Sequence, residues 1–200
     1  MLKSILSTAT FKQSQITIIA TIINGFLGLV FFITIARNIG AVNLGILTIC
    51  ITTLTLIADI ADFGTNTGIV RFVSSNLVSN KDKAYKFLKL ALEVKLFIWI
   101  LVLLIGFFIA PLLAEIVFNK PELILPLRLT LVGVGGALLF SYATASLQAF
   151  QNYLSWGGIN IATNFLRLLL IFILLYTTQI SLINSLLIYI TLPFFGSFLA

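Results

Sequence analysis

Arg167 stands inside a run of leucine, isoleucine and phenylalanine, where a charged side chain has most to explain. The apolar segment around it starts near Gly158. At about 1.5 Å per residue the arginine lies about 15 Å along that helix, near the middle of a bilayer. A guanidinium is costly there and snorkels poorly to either interface, so it must face a water-filled space or a partner. Asn160 and Asn164 precede it at i, i+4, i+7 spacing and share its helical face. Such a polar stripe could bind phosphate and sugar hydroxyls. The plainer alternatives are an ion pair between Arg167 and Asp59 or Asp62, and interhelical hydrogen bonds for the asparagines.

Asp59 and Asp62 are i, i+3 neighbours, with Asn66 four residues further on. On one continuous helix all three would share an inward face. They could form a cation or proton site coupled to transport, or neutralise a basic group such as Arg167. Arg71 lies about half a rotation from Asp62 on an unbroken helix, so it cannot pair with that acid there. It marks an interface or contacts phosphate. Arg37, at the end of the first apolar segment, could anchor the outer surface, cap exposed carbonyls or gate an outer mouth. Arg128 holds a similar position on the fourth segment. Asn24, Gln148 and Gln151 are further uncharged polar groups at or near membrane depth.

The elements that must position these groups follow from composition. The 200 residues are 60% hydrophobic and 9% charged, against about 25% charged in soluble domains. The fold class is therefore an all-α integral membrane protein. The single cysteine, Cys50, excludes an internal disulfide or a thiolate metal cluster, and the absence of histidine excludes a Ser-His-Asp triad. No Walker loop, zinc signature or nucleotide fingerprint is present, so no metal or other cofactor is expected and direct ATP hydrolysis is unsupported. The net charge of +6 comes from basic residues beside apolar spans, which suits membrane headgroups rather than nucleic acid.

Six apolar segments are long enough to cross a bilayer, at about 16–35, 44–73, 96–113, 127–149, 158–176 and 182–200. The second is too long for the hydrocarbon alone and should protrude or bend near Gly64. The stretch NLVSNKDKAYKFLK reads as the most basic loop, with Lys81, Lys83, Lys86 and Lys89. With Lys3 and Lys12 it places the amino terminus in the cytoplasm by the positive-inside rule. The fourth segment carries Gly133, Ala137, Ser141, Ala145 and Ala149 at four-residue spacing, a small-residue row that admits a close helix neighbour. Gly64 and Gly68 read as a second such pair. The chain ends in hydrophobic sequence, so it is expected to be one half of something longer.

ARNIGAVNLGILTI resembles the "AR-x-LG-x-x-x-(F/Y)G" segment that follows the first helix of polysaccharide-export flippases, with Ile39 and Leu44 replacing the commoner leucine and aromatic. DFGTNTGIVRFVS resembles their "D-x-G-x-x-x-x-x-x-R" segment through Asp62, Gly64 and Arg71. The whole chain is similar to the amino-terminal six-helix lobe of a Wzx-type oligosaccharide flippase, in the superfamily that includes the MATE exporters. The resemblance implies a multi-pass protein of the cell membrane. It implies transfer of an undecaprenyl-pyrophosphate-linked oligosaccharide to the outer leaflet, possible H+ or Na+ coupling, and polymerase and glycosyltransferase partners. On the residue grounds above, Arg167, Asn160, Asn164 and Arg71 are the candidate substrate contacts, Asp59 and Asp62 the candidate ion site and Arg37 the candidate outer gate; a cationic Arg167 is consistent with the pyrophosphate that the resemblance implies. The competing readings are a cation-coupled multidrug exporter of the MATE type, a membrane-embedded glycosyltransferase and a structural subunit.

Overall fold

The computed structural model describes residues 9–200, with the side chains of Ala9, Thr10 and Val78 left aside; Lys3 lies outside the described residues. All regular structure there is helical. Helix α1 spans Ala9–Asp62, α2 is the short Thr65–Gly68 and α3 is Ser74–Ser79, with a π-helical turn at Ile69–Val73 between them. They are followed by α4 (Lys81–Leu112), α5 (Ile124–Ala149), α6 (Tyr153–Tyr176) and α7 (Leu182–Leu199).

Five of these helices are long and apolar enough to span a membrane. The first accounts for two crossings. Its 54 residues would reach roughly 80 Å if straight, far beyond one hydrocarbon thickness. It is broken at Gly40, where φ is 78° and ψ is 161°. That region is essentially closed to side chains with a Cβ, so glycine makes the turn that a loop would otherwise make.

The packing shows that the two limbs of α1 run in opposite directions. Ala20 approaches Gly157, Asn24 bonds Asn164 and Phe31 faces Arg167, so the first limb is parallel to α6. Helix α6 is antiparallel to α7, since Thr163 meets Gly196 and Arg167 meets Tyr189. Helix α7 is parallel to α5 through Gly133 with Ile190 and Gly136 with Phe194. The second limb is parallel to α5, because Leu54 meets Gly133 while Asp62 and Ser141 hold the same lysine. Helix α4 is antiparallel to α5, since Lys95 meets Ser141 and Leu88 meets Tyr142, so the successive apolar segments alternate in direction through the bundle.

Helix α5 is the hub. It buries more residues than its neighbours, including Gly133, Gly135, Gly136, Ala145 and Ala149. A Cβ on Gly133 would lie 2.6 Å from Ile190, and one on Gly135 would lie 2.0 Å from the Trp99 ring. Lipid offers no hydrophobic drive for helices to associate, so close packing across such small residues holds the bundle together. Large apolar side chains face outward, among them Phe26, Phe108, Ile116 and Phe198. On a soluble protein that surface would aggregate; here it is the lipid-facing belt.

Two expectations need correction. The basic stretch is not a loop. Asn80 caps α4 by accepting from the Lys83 amide at 3.1 Å, and the helix runs from Lys81 straight into the apolar span. Lysine, alanine and leucine are good helix formers, and Ala84, Leu88 and Ala91 bury one face of this stem against the segment around Ile69 and Val73. Gly64 and Gly68 are also not a packing pair. Nothing lies within 4 Å of a Cβ at Gly64, whose φ is +74°. Gly64 and Phe63 (φ 46°) instead break the second span into α1 and α2.

Candidate functional site

The break at Phe63–Gly64 frees the last backbone groups of α1 and the first of α2, and Asp62 sits at that gap. Its carboxylate accepts from the Thr65 hydroxyl at 2.8 Å and from the Asn66 amide at 3.3 Å. It also pairs with Lys95 at 2.5 Å. Lys95 comes from α4, its side chain is fully buried, and its ammonium also donates to Ser141 of α5 at 3.2 Å. Three helices are thus tied by one ammonium. Lys95 is the residue that reading the sequence missed. Reading the basic stretch as a loop leaves this lysine just ahead of the span at 96–113, outside the apolar segment. Counting helical turns from the Asn80 cap would have put it well inside.

The break separates the acids from one another. Asp59 is exposed rather than inward-facing, and Asp59, Asp62 and Asn66 no longer share one face because the helix is interrupted between the last two. Asp62 does find a basic partner, though it is Lys95 and not Arg167.

Arg167 has no carboxylate partner among the described residues. Its Nη1 donates to Asn164 Oδ1 at 3.1 Å, and Asn164 Nδ2 donates to Asn24 Oδ1 at 2.9 Å. The guanidinium carbon lies 4.3 Å from the centre of the Tyr189 ring and 5.8 Å from that of Phe31. The stripe therefore joins three helices: the first limb of α1, α6 and α7. The Nε of Arg167 is buried and has no hydrogen-bond partner. Asn160 belongs to the same face but donates to the Trp156 carbonyl of its own helix at 2.7 Å. Such an arrangement can present an oriented, partly unsatisfied guanidinium to an oxyanion.

The other expected residues lie apart. Arg37 is exposed beside the Gly40 turn. Arg128 is half-buried, with its guanidinium carbon 4.0 Å from the centre of the Phe107 ring. Arg71 is exposed on the π-helical turn and borders a cavity with Asn66 and Gln148.

The fold and these buried charges define a multi-pass helical membrane protein with an internal cationic stripe. The family of polysaccharide biosynthesis proteins, the Wzx-like flippases, matches residues 11–200, and the chain belongs to it. No curated protein and no solved structure matches the chain significantly.

Proposed function

We propose that this chain works in a flippase that carries an undecaprenyl-pyrophosphate-linked oligosaccharide from the inner to the outer leaflet of the cell membrane. The product would feed polysaccharide or O-antigen synthesis. The supporting observation is the guanidinium of Arg167, midway along the apolar helix α6, with no carboxylate partner among the described residues and with an unpartnered Nε.

In this reading Asn164 orients the guanidinium, Asn24 fixes Asn164, and the Tyr189 ring supports the cation from one face. The diphosphate takes the free donors of Arg167 and nearby sugar hydroxyls meet Asn160 and Asn164. The polyprenyl tail stays in lipid. No covalent bond is made or broken, so the protein is a transporter rather than an enzyme. The substrate drives alternation only by binding one conformation better than the other. Arg37 gates the outer mouth, the amino terminus is cytoplasmic, and the polymerase and glycosyltransferases act on either side of the transfer step.

The test is export of surface polysaccharide in a strain carrying Arg167→Gln or Arg167→Lys. The glutamine variant should abolish export at normal protein level, and the lysine variant should keep a small part of it, since it retains charge without the fork. Export equal to wild type with Arg167→Gln would remove the arginine from the mechanism. The multidrug-exporter reading loses ground because Asp62 is held by Lys95, leaving Asp59 as the acid available to a coupling ion. Drug susceptibility should not change with Asp59→Asn.

A further inference from the structure

A polar cavity lies away from Arg167, where the broken second span passes the last turn of α5. Asn66, Thr67, Val70, Arg71, Ser74 and Gln148 line about 390 Å³ there. That volume is within the range of small-ligand sites, and five of the six residues are polar in a chain that is mostly apolar. The guanidinium of Arg71 forms no ion pair among the described residues. The buried Oδ1 of Asn66 lacks a hydrogen-bond partner, although its backbone amide is engaged by Asp62. The cavity thus combines a cationic donor with an unfilled acceptor, a pairing suited to an anion that also carries hydroxyls.

The local fold explains the arrangement. Phe63 and Gly64 are both left-handed, so α2 restarts after the break, and the π-helical turn carries Arg71. Gln148 reaches the same cavity from the end of α5, two residues before the chain turns at Phe150. The cavity lies at the end of the bundle where the lysine-bearing stem of α4 begins, because Asn80 and Lys81 directly follow α3.

We propose that this cavity is a docking site for a sugar phosphate at the membrane surface, distinct from the Arg167 stripe, and that it captures the head of the substrate before transfer. Arg71 takes the phosphate, and Asn66 and Gln148 take hydroxyls of the adjoining sugar. The proposal rests on the flippase reading for the identity of the lipid carrier, and on the cavity alone for the chemistry.

The test measures binding to the purified full chain in detergent by native mass spectrometry. The probes are a polyprenyl-pyrophosphate sugar, the matching polyprenol, phosphatidylglycerol and inorganic pyrophosphate, applied to wild type, Arg71→Gln, Arg71→Lys and Gln148→Ala. Wild type should retain the polyprenyl-pyrophosphate sugar at least tenfold better than polyprenol. Arg71→Gln should lose that preference, Arg71→Lys should keep part of it, and Gln148→Ala should weaken it. Phosphatidylglycerol binding equal to that of the sugar lipid would reduce the site to a general headgroup contact and overturn the proposal. Retention of inorganic pyrophosphate alone would make it a free-anion site and overturn it as well. Unchanged binding in Arg71→Gln would overturn it directly. Arg167→Gln serves as the separating arm. Normal docking with lost export in that variant supports both sites. Normal export with Arg167→Gln, beside lost docking with Arg71→Gln, would overturn the Arg167 reading and leave the cavity standing.

Discussion

A buried lysine is stable only while something answers its charge, and for Lys95 that is Asp62 with help from Ser141. Removing one partner strands the other. Lys95→Met leaves Asp62, whose side chain keeps 18% exposure and two local hydrogen bonds, so its loss is softened. Asp62→Asn leaves a fully buried ammonium with no counter-charge, the worse of the two states. Breaking a buried pair costs roughly 3–5 kcal/mol, whereas replacing both members by neutral groups is often neutral or stabilising. Thermal unfolding in detergent should therefore rank Asp62→Asn as the least stable variant and Lys95→Met next. The Asp62→Asn, Lys95→Met double variant should stand close to wild type. Equal stability for all four proteins would mean that the pair carries no structural weight. If the double variant is stable but fails to export, the pair has a role in the transport cycle beyond holding α1, α4 and α5 together.

Helices are held here by how closely they approach, so glycines on α5 carry stability that their lack of side chain conceals. Gly135 lies under the Trp99 ring, and an added methyl would overlap it at 2.0 Å. Gly135→Ala should destabilise by about 1–3 kcal/mol, the usual cost of overpacking. Trp99→Leu should recover part of that loss, because it removes the overlapping ring. Gly25 and Gly45 have nothing within 4 Å of a Cβ, and alanine there should be harmless or should gain up to about 1 kcal/mol of helix propensity. Unfolding temperatures of the four variants check this ordering. The small-residue spacing on α5 was readable in the sequence because that signal is periodic, although Gly135 and Gly136 fall off the four-residue row. The number of spans was readable too, since hydropathy needs only composition. The bend near Gly64 was legible from the excess length of the second segment, whereas only the backbone angles separate the break at Gly40 from a tolerated helical glycine. The Arg167 stripe was legible because i, i+4, i+7 is a property of one helix. Asn24 and Lys95 acquire their partners from distant helices, and no local spacing carries that information.

At the scale of the molecule, everything depends on α1 doubling back at Gly40. If its limbs run antiparallel, Arg37, Asn119 and Thr178 share one side of the membrane, while Lys83 and Gln151 share the other. If α1 crossed only once, Arg37 would change sides relative to Lys83, and α6 could not lie parallel to the first limb. The chain suits a labelling experiment because Cys50 is its single cysteine and is buried. With Cys50→Ser as background, a cysteine placed singly at each of those five exposed positions should report its side to a membrane-impermeant maleimide. In intact cells the positions 37, 119 and 178 should label and 83 and 151 should not, given a cytoplasmic lysine-bearing stem. In inverted vesicles the pattern should reverse. A complete exchange of the two sets would keep the hairpin and overturn the orientation. Grouping of position 37 with position 83 would overturn the hairpin itself. Gly40→Ala then tests the cause of the turn: a Cβ forced to φ 78° and ψ 161° costs on the order of 1–3 kcal/mol. That variant should lower membrane-inserted protein or its unfolding temperature without changing which side position 37 labels, because the lysine stem and the apolar limbs still set the direction of each pass.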